Sequence, residues 1–209
     1  MNTPSPNFEP GTRNLRLFVA IELPEAWRAW LAREARSLDA AAPGFGRWVD
    51  PSLMHITLLF LGGQPAEMLP AIQRAVERAG EAGRPFMLSL GGLGSFGSPR
   101  SVRVIWAGAE EAPQGTLAAL HGELTRRLDA ESVPFEPTPL RPHVTLGRAR
   151  RDAASAQSEA MYRAIRARND VPATGASVQR AECSEVVLMR SDLRPTGPIY
   201  TPLLRVALG

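Results

Sequence analysis

Two short stretches decide the reading of this chain: "LMHITLLFLG" at residues 53–62 and "RPHVTLGRA" at residues 141–149. Each carries the tetrapeptide H-x-T-L inside an apolar, strand-like run. Together they use two of the three histidines, His55 and His143. Alternate residues of a strand share a face. His55 and Thr57 therefore point one way and Ile56 and Leu58 the other, and His143 and Thr145 repeat this against Val144 and Leu146. Strict alternation also puts Leu59 and Gly147 on the polar face and Arg148 on the apolar one. The third histidine, His121, lies on a helical stripe beside Leu117 and Leu124, has no threonine two residues on, and reads as structural.

Outward from these motifs, strand-like and helix-like runs interleave. Further strands are expected at 15–23, 86–93, 102–108, 184–191 and 199–208. Helices are expected at 24–41, 65–83, 113–132 and, with weaker amphipathicity, 152–168. The segment "GSFGSPRSVRV" at 94–104 reads as a loop entering a strand, with Arg100 and Arg103 on it. Interleaving throughout argues for a mixed α and β domain without a linker or a short-period repeat.

Composition narrows the class. The chain has 209 residues, 44% of them hydrophobic and 22% charged, which is enough to bury a core without covalent staples. The single cysteine, Cys183, excludes an internal disulfide and a cysteine cluster for zinc, and fits a reducing cytoplasmic setting. No run approaches membrane-span length. Residues 1–13 are polar and proline-containing and read as a loose tail. The net charge is only +3. All the basic residues are arginines, the cation suited to bidentate phosphate contact, but a codon bias toward arginine is the leading explanation of that usage, and the arginine content is supporting evidence only.

The paired histidines admit two chemistries. A metal site would need further ligands, yet neither motif has a His, Cys or carboxylate at i+2 or i+4, so ligands would have to come from elsewhere. Paired acid–base catalysis needs nothing more. One neutral imidazole takes a proton from an attacking water, and a protonated one gives a proton to a departing oxygen. The threonine hydroxyls can donate to oxygens that gain charge. A phosphodiester suits this, because attacking and leaving oxygens lie on opposite sides of phosphorus. The two motifs are too alike for the residues themselves to say which histidine is acid and which is base.

The two H-x-T-L copies resemble those of the two-histidine phosphoesterase superfamily. The start "LRLFVAIELP", the segment "RWVDPSLMHITLLFLG", the copy "HVTLGRAR" and the closing "GPIYTPL" are more closely similar to the RNA 2′,3′-cyclic phosphodiesterases, formerly called 2′-5′ RNA ligases. The resemblance implies an α+β, bilobal fold over residues 14–209. Two antiparallel sheets backed by helices would be related by a pseudo-twofold axis, with one motif per lobe facing a central cleft. It also implies that His143 acts as base toward water, that His55 protonates the departing 3′ oxygen, and that Thr57 and Thr145 hold phosphate oxygens. RNA ending in a 2′,3′-cyclic phosphate would be the partner, a 2′-phosphate the product, and no metal or cofactor would be required.

By the same resemblance Arg148 is placed to neutralise phosphate and Tyr200 to flank the terminal base. Phe60, Trp48 and Phe96 are further aromatic candidates for stacking on a base, each with core packing as its rival reading. A monomer is expected. Related activities on a small cyclic nucleotide, or a reversible 2′-5′ ligation, stay open at this level. A module that only bound RNA ends also stays open, though binding alone does not need a matched acid–base pair.

Overall fold

A computed structural model describes residues 14–170, 180–195 and 197–209. The expected tail at 1–13 lies outside the described residues. Nine strands are present among them: β1 Asn14–Glu22, β2 Gly46–Trp48, β3 His55–Pro65, β4 Phe86–Ser98, β5 Ser101–Ala112, β6 His143–Ala149, β7 Ala181–Cys183, β8 Glu185–Arg194 and β9 Gly197–Ala207. Four helices accompany them: α1 Glu25–Ala41, α2 Leu69–Ala82, α3 Thr116–Ala130 and α4 Ser155–Asn169. None of these helices is long and apolar enough to cross a membrane.

All strand pairings are antiparallel, in the order β7-β4-β5-β6-β3-β1-β8-β9, with β2 added beside β6. The sheet has two halves that meet at β3 and β6, and they are paired there through one residue couple, Ile56 opposite Val144. Beyond that couple β2 takes over the vacated edge of β6, pairing Trp48 with Gly147, Arg47 with Arg148 and Gly46 with Ala149. Gly46 permits the close approach, since a Cβ there would meet the Arg148 carbonyl oxygen at 2.9 Å.

Helices α2 and α3 pack together behind the β3 half, and α1 and α4 pack together behind the β6 half. Their apolar stripes, including Leu31 and Leu38 on α1, Ile72 and Val76 on α2, and Leu120, Leu124 and Leu128 on α3, close one core with Ile56, Leu58, Val144 and Leu146 from the motif strands. His121 sits half-buried on α3, outside the cleft described below.

Three expectations change. Residues 94–104 are not a loop but the tip of a β-hairpin, since β4 continues to Ser98 and β5 starts at Ser101; glycines there lowered the strand signal without breaking the ladder. The short strands β2 and β7 carried no readable period. Leu59 and Gly147 do not join the polar face. In β3 the partner of successive β1 residues jumps from Leu59 to Thr57, and in β6 the partner of successive β5 residues jumps from Gly147 to Thr145. The leucine of each H-x-T-L is thus the extra residue of a β-bulge, which shifts the side chains that follow it to the other face. Leu58 and Leu59 are both buried, as are Leu146 and Gly147. Phe60 and Arg148 are thereby turned to the exposed side.

A part-buried ion pair ties α1 to α4. Glu34 is only 5% exposed and receives two hydrogen bonds from Arg168, at 2.8 and 2.7 Å. Arg168→Met should cost about 2 kcal/mol by stranding a buried carboxylate. Arg126→Met, which breaks an exposed pair with Glu123, should cost under about 0.5 kcal/mol. Urea denaturation of the two variants checks the difference; equal midpoints would show that the Glu34 pair is not structural.

Candidate active site

The strands β3 and β6 part after Ile56 and Val144 and leave a cleft of 1020 Å³ between the two halves. His55, Thr57, Phe60, His143, Thr145 and Arg148 all line it. Continuing the antiparallel register one residue either side of the Ile56–Val144 couple sets His55 against Thr145 and Thr57 against His143. The two bulges make the halves correspond further, with Phe60 and Arg148 each five residues past its histidine and each turned into the cleft.

Both imidazoles are anchored alike. Nδ1 of His55 is 2.8 Å from the Leu53 carbonyl oxygen, and Nδ1 of His143 is 2.6 Å from the Arg141 carbonyl oxygen. A carbonyl oxygen only accepts, so Nδ1 carries the proton in each ring and Nε2 is the nitrogen that gains or loses one. Each histidine is therefore a proton donor or acceptor at a single fixed atom.

Their surroundings differ. His55 is stacked on Phe18, with centroids 4.9 Å apart, and meets the Tyr200 ring edge-on at 5.3 Å. Phe18 belongs to a small apolar cluster with Ala20, Val187 and Met189, against which Tyr200 packs. This patch is separate from the main core, and β1 is buried on both faces because of it. Burial there holds His55 below its ordinary value of 6.5, reinforced by the nearby charge of His143; the Leu53 hydrogen bond and, more weakly, Glu22 oppose the shift. His143 has Phe96 edge-on at 5.1 Å and Trp106 at 6.3 Å. Burial also raises the Tyr200 phenol above its ordinary value of 10.0, against the pull of Arg148 and Arg16.

Trp48 reaches the cleft, but its indole is tethered. Nε1 donates to Asp39 at 2.8 Å, and the ring lies over Gly147, where a Cβ would come within 2.9 Å of it. Phe60 is 54% exposed and open to a ligand. Phe96 is engaged by His143 and Trp106, with the Arg141 guanidinium over its ring at 6.0 Å from the centroid. Arg100 pairs with Glu159 on α4 at 3.0 Å, and neither it nor Arg103 lines the cleft. Sequence reading missed Phe18, Trp106 and the cleft arginines Arg16, Arg47 and Arg194. Phe18 lies in a run buried on both faces, where period-2 reading has no contrast to use. Among the described residues no three His, Cys, Asp or Glu side chains converge as a metal site would require.

The sequence pattern of the 2′-5′ RNA ligase superfamily matches residues 23–194. The RNA 2′,3′-cyclic phosphodiesterase of Methanothermobacter thermautotrophicus is 32% identical over 197 residues, covering 90% of this chain and 96% of its own. That of Thermus thermophilus is 34% identical over 197 residues, covering 93% and 90%. The crystal structure of Escherichia coli LigT in apo form superposes with a TM-score of 0.69 at 28% identity, covering 94% of this chain and 99% of that one.

His55 should titrate below 6.5 in the folded protein when its ring protons are followed by NMR. Tyr200→Ala, which opens one side of its apolar box, should move the value upward. The unfolded chain then binds the proton more readily, so this histidine removes stability as the pH falls from 6.5 through the folded value. Titration of His55 at or above 6.5 would contradict the burial argument.

Proposed function

The chain belongs to the 2′-5′ RNA ligase superfamily, and on that premise we propose that it hydrolyses RNA 2′,3′-cyclic phosphate ends to 2′-phosphomonoesters by paired-histidine acid–base catalysis. The observation that carries this reading is the matched anchoring of the two imidazoles, each free to exchange a proton at Nε2, from opposite sides of one cleft. Relatives of that name at about this chain's full length supply the reaction.

In the proposed reaction His143, neutral at Nε2, takes a proton from water as the water oxygen bonds to phosphorus. The bond from phosphorus to the 3′ oxygen breaks, and His55, protonated at Nε2, gives that oxygen its proton. The histidines end with their proton states exchanged, and solvent resets them. An anionic phosphate beside His55 favours its imidazolium and so offsets the burial that disfavours it in the free protein. Thr57 and Thr145 donate to the non-bridging oxygens, whose charge rises in the transition state.

Arg148, brought to the cleft by the bulge, neutralises phosphate. Phe60 offers a face to the terminal base, and Tyr200, kept protonated by burial, flanks the sugar and base as a neutral hydrogen-bond donor. Trp48 supports the wall at Gly147. Both histidines come from one chain, which supports a monomer as the working unit, and an RNA substrate together with the free thiol of Cys183 supports a cytoplasmic setting.

The test is incubation, in EDTA, with a short RNA bearing a 2′,3′-cyclic phosphate, resolving 2′- from 3′-phosphate products. The wild type should give the 2′-phosphate at undiminished rate in chelator. His55→Ala and His143→Ala should each lower kcat by about 10²–10⁴-fold. Loss of activity in EDTA would overturn the metal-free mechanism, and a kcat within about tenfold of wild type in either variant would overturn the paired one.

A further inference from the structure

Arg47 on β2 and Arg148 on β6 are direct cross-strand partners. Directly opposed residues of an antiparallel pair stand on one face with Cβ atoms about 4.5–5.5 Å apart, and like charges so placed destabilise the ladder. Both arginines are exposed and both line the cleft. Among the described residues neither forms an ion pair with a carboxylate.

The rest of the cleft does not compensate them. Asp50 and Asp152 are its only acidic lining residues among those described. Asp50 accepts hydrogen bonds from the Ser52 amide and hydroxyl at 2.8 and 2.6 Å, and Asp152 pairs with Arg150 at 3.5 Å. Arg16, Arg151 and Arg194 add further positive charge. A pair of opposed guanidiniums without a counter-charge, at the wall of an open cleft, is a site for an anion of more than one charge.

Its position identifies that anion. Because the bulge takes one residue, Arg148 lies two ladder positions past Thr145, about 7 Å along the sheet, and Arg47 lies on the strand that takes over the edge β3 has left. Arg148 can turn back toward a phosphate held at the threonines. Arg47 stands directly across the strand pairing from Arg148 and lines the same cleft, within reach of a second anionic group beside the first.

We propose that Arg47 is a substrate-positioning residue that holds the phosphodiester one nucleotide upstream of the terminal cyclic phosphate, so that the cleft selects RNA ends over cyclic mononucleotides. The inference rests on the cyclic phosphodiesterase reading. Two adjacent substrate phosphates supply the negative charge that the Arg47–Arg148 pair lacks.

The experiment compares 2′,3′-cyclic AMP with a short RNA ending in 2′,3′-cyclic phosphate, using wild type, Arg47→Ala and Arg47→Gln. The wild type should show the higher kcat/KM on RNA. Both variants should lose about tenfold on RNA, the scale of one charged hydrogen bond, with the mononucleotide rate unchanged. The slope of log(kcat/KM) for RNA against log salt should flatten by about 0.7, as for one lost phosphate contact on a single strand. Thermal midpoints of the variants should equal or exceed that of the wild type, because a like-charge pair is removed; this separates a binding role from a structural one. Equal losses on both substrates, or no loss on either, would overturn the inference. A wild type that hydrolyses neither substrate would instead overturn the cyclic phosphodiesterase reading.

Discussion

The site depends on a single main-chain coupling, Ile56 against Val144. Every other neighbouring pair along the path of the sheet is joined over several residues, but β3 and β6 touch once and part. Had they paired along their length, the two histidine strands would form an ordinary continuous sheet and the histidines would stand on a flat face. Pairing at one couple keeps the motifs in register while opening a gap between the halves. The buried side chains of that couple, with Leu58 and Leu146 beside them, fix the hinge point from the core side.

Equivalent bulges then give the two strands their working faces. Each bulge lets two consecutive residues enter the core and returns the following one to the cleft. In the β3 half that residue is aromatic, Phe60, and in the β6 half it is cationic, Arg148. A nearly symmetric scaffold thus carries an asymmetric lining. The same division holds around the histidines, with His55 enclosed by Phe18 and Tyr200 while His143 lies in the half that carries Arg148 and Arg47. On the proposed reading, such an arrangement would distinguish the base side of a nucleotide from its phosphate side while leaving the matched anchoring of the two histidines unchanged.

The carbonyl two residues before each histidine is a second economy of the design. Leu53 precedes β3 in a short 3₁₀ turn, and Arg141 precedes β6 in a segment without regular structure, yet both present a carbonyl oxygen to Nδ1 at the strand entrance. The ring orientation is set by backbone rather than by a carboxylate partner. No negative charge beyond the weak influence of Glu22 is brought to His55, and burial can therefore lower its proton affinity.

The amino-acid sequence by itself determined the four helices and seven of the nine strands described, the core-facing residues Ile56, Leu58, Val144 and Leu146, and the pairing of each histidine with a threonine two residues on. These follow from local period and from a tetrapeptide that occurs twice. Leu59, Gly147 and Arg148 were read on the wrong faces because an alternation rule assumes an unbroken ladder, and a bulge is a property of the partner strand's register rather than of the bulged strand's own residues. Only the tertiary structure decided that Phe60 and Arg148 occupy corresponding places, that Phe18 from the neighbouring strand β1, far off in sequence, boxes His55, and that Arg47 stands opposite Arg148. Each of these depends on which strands lie side by side, and side-by-side placement is set by long-range packing that no local period encodes.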